Sequence, residues 1–270
     1  MPFALGGVHR GLERLGVKVA QFHVVAHPLQ GGGNAVAQRR AEAVGAGMAI
    51  NQEDAHVGQH HSARREAAQR PGGDAALMRV HYLYAHPLPD SFHAAIRDAA
   101  LEGLRAAGHE VDLCDLYAEG FDPVLGVEER RDYHDPALNR ERVGPYVERL
   151  QRADALVLSF PTWCFGMPAI LKGWFDRTMI PGVSFNLIDG KATPALTHIR
   201  KVAGISTYGR PRWTALVMAD PPRKVVTRYF RMVSGGRSRV EYHAMYDMNR
   251  ATPARCGAFL EQVRRRMSGF

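Results

Sequence analysis

Residues 78–270 are predicted to form an α/β domain, a doubly wound five-stranded parallel sheet with helices on both faces. Three observations predict it. From Met78 onward, strand-like and helix-like runs alternate. Residues 155–160 are apolar with one serine, as in a strand buried on both faces. The punctuation also fits, because Asp90 or Ser91 can cap the start of a helix and Gly108 its end.

The elements follow in order. Residues 80–85 read as the first strand, ending in His86-Pro87. Residues 91–107 carry Phe92, Ala95, Ile96, Ala99 and Leu104 at helical spacing. Residues 110–116 read as a second strand. Residues 121–145 are polar with three prolines, which suits a loop with a short helix, and 147–153 close a further helix. After the buried strand 155–160 comes an apolar helix at 168–179, with Pro168 suited to its first turn. Residues 201–207 and 239–245 read as the last two strands. Residues 253–267 are the final helix, basic in its last turn as the helix dipole favours.

Residues 1–77 differ in composition. They hold 12 of the 27 glycines and 6 of the 13 histidines, with Phe3 and Phe22 their only aromatics. So few large apolar groups can hardly offset the entropy of ordering the segment. We therefore expect a low-order extension that is dispensable or not natively translated, with Met78 beginning the functional domain. Its histidines lack ligand spacing, so no metal is expected.

Composition limits the function. The chain has 270 residues and a formal charge of +8, and no apolar run approaches the length of a membrane span. Cys114, Cys164 and Cys256 are far apart and odd in number, which suits a reducing compartment and excludes a disulfide framework. A cytoplasmic protein is expected. No cluster of Lys and Arg interleaved with aromatics stands out, so a nucleic-acid partner is not expected.

In open α/β sheets, ligands bind beyond the carboxyl ends of the strands, where strand order reverses. That rule selects three loops, at residues 85–92, 160–168 and 206–210. The first ends at a helix N-terminus, where free N–H groups and Ser91 suit a phosphate; alternatively, Asp90 and Ser91 are caps only. His86 either donates to that phosphate or hydrogen-bonds its own loop. In the second, Trp163 and Phe165 suit a planar ring, or merely cover the sheet, and Cys164 reads as a small packing residue. In the third, Gly209 allows close approach. No G-x-G-x-x-G, phosphate-loop or nucleophile-elbow motif is present.

Tyr84-Ala85-His86-Pro87, Asp90-Ser91-Phe92, Asp115-Leu116-Tyr117 and Phe121-Asp122-Pro123 resemble the NAD(P)H:quinone oxidoreductase family. Phe160-Pro161 and the unbroken run from Phe165 to Arg177 resemble the same family. The resemblance implies a flavodoxin-like fold, bound FAD or FMN with FAD placed first, and hydride transfer from NAD(P)H through flavin to a quinone-like acceptor. It implies a homodimer. His86, Ser91, Phe92 and His93 would hold the flavin's phosphate region. Pro161, Thr162, Trp163, Cys164 and Phe165 would lie at its ring. Ser206, Thr207, Tyr208 and Gly209 would reach its polar edge. The helper Tyr and His of better-known members fall by spacing on Thr214 and Asp220, which cannot copy those roles, so no catalytic side chain is assigned. Tyr208 or Trp213 could stack on a bound ring. The other readings are a flavin-binding regulatory subunit of a potassium-efflux antiporter and a flavodoxin-like electron carrier.

Overall fold

The computed structural model describes residues 77–270, so the expectations for residues 1–76 lie outside the described part. Five strands form one parallel sheet: β1 (Arg79–Tyr84), β2 (Glu110–Asp115), β3 (Ala155–Thr162), β6 (Lys201–Tyr208) and β7 (Arg239–Met245), in the order β2-β1-β3-β6-β7. Strand order reverses between β1 and β3, as the flavodoxin-like reading requires. A separate antiparallel hairpin, β4 (Phe185–Ile188) and β5 (Lys191–Pro194), was not expected. Its turn residues, Asp189 and Gly190, both have positive φ.

Side-chain alternation along the strands builds a core on each face. From β1, Val80, Tyr82 and Tyr84 point to one face and Leu83 to the other. The first face is covered by α1 (Phe92–Ala106) and α8 (Pro253–Ser268), through Ile96, Leu104, Phe259 and Val263. The second is covered by α3 (Gly144–Arg152) and α4 (Ala169–Thr178), through Val147, Leu150, Leu171 and Trp174. A short α2 (Val127–Arg131) lies in the expected loop. The segment after β6, left unassigned in sequence, is helical as α5 (Arg212–Val217), α6 (Pro221–Lys224), a π-turn (Val225–Tyr229) and α7 (Phe230–Val233).

Several motif residues have a packing reason. A Cβ at Gly173 would lie 2.2 Å from the Pro123 carbonyl oxygen, so the Phe121-Asp122-Pro123 loop lies directly on α4. Arg177 holds that loop by donating to the Asp122 carbonyl and pairing with Glu129. Pro161 is tolerated inside β3 because β3 runs on past the end of β1, where only β6 pairs with it. Arg149 of α3 pairs with both Asp112 and Glu119, and the fully buried His81 hydrogen-bonds Asp112 at 2.8 Å.

Candidate functional site

The first loop is fixed by its own polar groups. Ser91 is the N-cap of α1: its hydroxyl accepts from the Ala94 N–H at 3.1 Å and donates to the Leu88 carbonyl at 2.9 Å. Ser91 is therefore the cap, and Asp90 is not. The N–H groups of Phe92 and His93, in the first turn, have no partner within the helix. His86 Nδ1 accepts from the Leu88 N–H at 3.1 Å, which leaves its proton on Nε2, free to donate outward. Burial lowers the His86 pKa.

His93 lies beneath this loop, 3% exposed, and its Nε2 meets the Ser159 hydroxyl of β3 at 3.1 Å. Its ring is stacked between Tyr84 and His86, with centroids 5.9 and 6.0 Å away. Burial, followed by the neighbouring His86, pushes its pKa down to about 3, so the ring is neutral. The contact fits either direction; where Ser159 donates to Nε2, the ring proton sits on Nδ1. That atom is buried and without a partner among the described residues, as is the Tyr84 hydroxyl. Unpaired buried donors are costly; Tyr82 and Trp174 carry others within the core, and the pair at His93 and Tyr84 differs by lying beside the start of α1.

The second loop is a tight hairpin turn. Trp163 and Gly166 exchange backbone hydrogen bonds of 3.1 and 2.8 Å, and the two residues between them, Cys164 and Phe165, have φ of 49° and 57°. Neither is a glycine, so the turn is held against a steric cost. The turn projects Trp163, 42% exposed, with its ring centroid 5.9 Å from His86. Cys164 is exposed at the tip and does not pack, contrary to the sequence reading, because the turn directs it away from the sheet.

The third loop stands beside the second, since Thr162 pairs with Tyr208 and its hydroxyl meets that of Ser206 at 3.0 Å. Thr207 is partly buried. A Cβ at Gly209 would come within 3.2 Å of Asn249 Oδ1, so this chain crossing is close. Tyr208 differs from expectation. Its hydroxyl donates to Asp220 at 2.6 Å and meets that of Tyr242 at 2.7 Å, while its ring stacks on Tyr246 at 4.5 Å. The ring is occupied, which corrects the idea that it stacks on a ligand. Gly204 makes room for the Tyr242 ring, which lies 2.6 Å from where a Cβ would be. Burial raises the Tyr208 and Tyr242 pKa values, so both stay protonated.

Asp220, with left-handed backbone (φ 43°), is the buried hub of this cluster and also accepts from Tyr246. Its role was not legible because its partners lie on β6 and after β7. Thr214 lies in α5 with its hydroxyl buried and unpartnered among the described residues. The three loops thus meet at the carboxyl ends of β1, β3 and β6. No metal-binding cluster occurs among the described residues.

The family model described as "Flavodoxin-like fold" matches residues 78–266. The chain belongs to this family. NAD(P)H dehydrogenase (quinone) 1 of Cavia porcellus is 35% identical over 151 residues, covering 50% of this chain and 55% of that protein. The uncharacterized NAD(P)H oxidoreductase YcaK of Escherichia coli (strain K12) is 33% identical over 144 residues, covering 53% and 65%. The NAD(P)H:quinone oxidoreductase from Methanothermobacter marburgensis superposes with a TM-score of 0.63 at 26% identity, over 72% of this chain and 98% of that one. The chain spans about half the length of the curated relatives it matches. The likeness to quinone oxidoreductases within this flavodoxin-like family, read first from the loops, is borne out.

Proposed function

We propose that residues 78–270 form a flavin-dependent NAD(P)H oxidoreductase that reduces a quinone-like acceptor. The observation that carries this reading is the unpartnered Nδ1 of the neutral, buried His93 beneath the N-terminus of α1. Anions bind at such helix starts, because backbone N–H groups and the helix dipole both favour negative charge. His86 Nε2, the Phe92 and His93 N–H groups and His93 Nδ1 fit the phosphate region of FAD or FMN. Trp163 and Phe165 supply apolar surface for the ring, with Pro161, Thr162 and Cys164 holding the turn that carries them. Ser206, Thr207 and Gly209 address its polar edge, and Tyr208 fixes that loop through Asp220.

A bound flavin would accept hydride from NAD(P)H and deliver it to the acceptor. The chain's own residues bind and orient. With no acid or base side chain assigned at the ring, reductant and acceptor would take turns at one face, as in ping-pong kinetics. Homodimer formation and a cytoplasmic setting complete this reading, by analogy with the family. No described helix is long and apolar enough to cross a membrane.

Steady-state assays of flavin-loaded protein with NADH or NADPH and a soluble quinone test the activity. Parallel double-reciprocal lines are expected. Absence of turnover with both reductants, flavin being bound, would remove the enzyme reading.

A further inference from the structure

We propose that the segment from Arg210 to Arg237, next to the candidate site, docks on an anionic lipid bilayer. This rests on the quinone-reductase reading only for its purpose, which is to draw the acceptor from the lipid phase.

The segment begins directly after Gly209 of the third loop, so α5 flanks the site. Its outward residues are apolar: Trp213 is 63% exposed, Val217 75%, and Leu216 and Met218 are exposed as well. An uncovered run of this kind on a polar surface marks an interaction site. The helical stretch that follows buries Val226, Phe230 and Val233. It turns Lys224, Arg228 and Arg231 outward at helical spacing, with Met232 beside them.

Charge selects the partner. Arg210, Arg212, Lys224, Arg228, Arg231 and Arg237 are exposed, and none has an ion-pair partner among the described residues. Arg79, Arg97, Arg149, Arg177 and Arg264 are paired, whereas exposed Arg105, Arg142, Arg265 and Arg266 have no partner among the described residues, so what sets this stretch apart is six exposed, unpaired bases within 28 residues beside exposed apolar side chains. The acid of this stretch, Asp220, is buried and bonded to tyrosines. Unpaired cations beside exposed Trp, Leu, Val and Met match a bilayer interface, where apolar groups enter the acyl boundary and bases meet anionic headgroups. Between Arg228 and Arg231, Phe230 is buried and Tyr229 is partly buried against Phe175, so Trp213 is left as a single exposed ring rather than a row on which successive bases could stack.

The flavin-loaded full chain is sedimented with vesicles of phosphatidylcholine alone, or with about one-third phosphatidylglycerol. Binding to the anionic vesicles only, released by added salt, is expected. The double variants Leu216→Ser/Val217→Ser and Arg228→Glu/Arg231→Glu should each weaken it about tenfold or more, with soluble-quinone turnover unchanged. No binding to anionic vesicles overturns the proposal. So does undiminished binding by both variants, or a change in their oligomeric state with vesicle binding intact. If no form reduces any quinone, the activity fails, and the docking still stands or falls by sedimentation.

Discussion

Two polar clusters at the carboxyl end of the sheet differ in how their hydrogen bonds close. Around Asp220, the Tyr208, Tyr242 and Tyr246 hydroxyls satisfy one another and the carboxylate. Around His93, the Ser159 contact uses one nitrogen and leaves Nδ1 and the neighbouring Tyr84 hydroxyl without partners among the described residues. A closed cluster stiffens the fold; an open one has capacity left for a ligand. Polar character alone therefore does not locate a binding site; unmet donors do so only where they lie at the loops, unlike those of Tyr82 and Trp174 in the core.

The largest effect should come from breaking the closed cluster. Asp220→Ala removes the carboxylate that the buried Tyr208 and the partly buried Tyr246 hydroxyls bond and puts Ala at positive φ, and should cost about 2–4 kcal/mol in denaturant unfolding. Asp220→Asn keeps an acceptor and tolerates the backbone, so it should lose clearly less. Equal losses would mean that the hydrogen bonds are not what matters there.

The open cluster should show itself in pH dependence. Unfolded His93 takes up a proton below about pH 6.5, while the folded site holds it neutral down to about 3. Protons thus favour the unfolded chain, and the stability present above pH 6.5 should fall on acidification. The contribution is up to about 1.4 kcal/mol per pH unit. His93→Leu should flatten that part of the profile, and an unchanged slope would contradict the buried neutral ring.

The same substitution should weaken flavin binding about tenfold, by removing one donor. Trp163→Ala should weaken it by about 1 kcal/mol through lost ring contact, with little change in the melting temperature of flavin-free protein, because the side chain is half exposed. The smallest effect is expected at the strained turn. Phe165→Gly should raise flavin-free stability by up to about 1 kcal/mol, read as a higher melting temperature.

Much of the fold was legible in sequence. The apolar run in β3 and the cap at Ser91 each act locally, and both stand where expected. The β4–β5 hairpin carried an Asp189-Gly190 signal, but its strands are four residues each and largely exposed, so no alternation announced them. The turn at Cys164-Phe165 was hidden, because positive φ there falls on residues that ordinarily avoid it. Asp220 was hidden for a different reason: its partners Tyr208 and Tyr246 are 12 and 26 residues away in sequence and meet it only in the folded sheet. The Arg210–Arg237 surface escaped notice because its bases are dispersed in sequence and align only on the helical stretch.

The central claim is that the unmet donors around His93 hold the phosphate of a flavin. The direct measurement is equilibrium titration of flavin-free protein with riboflavin, FMN and FAD, followed by visible absorbance. FMN or FAD should bind at least about tenfold more tightly than riboflavin, and His93→Leu should shrink that difference. Equal affinity for riboflavin and its phosphorylated forms, unaffected by His93→Leu, would contradict the claim.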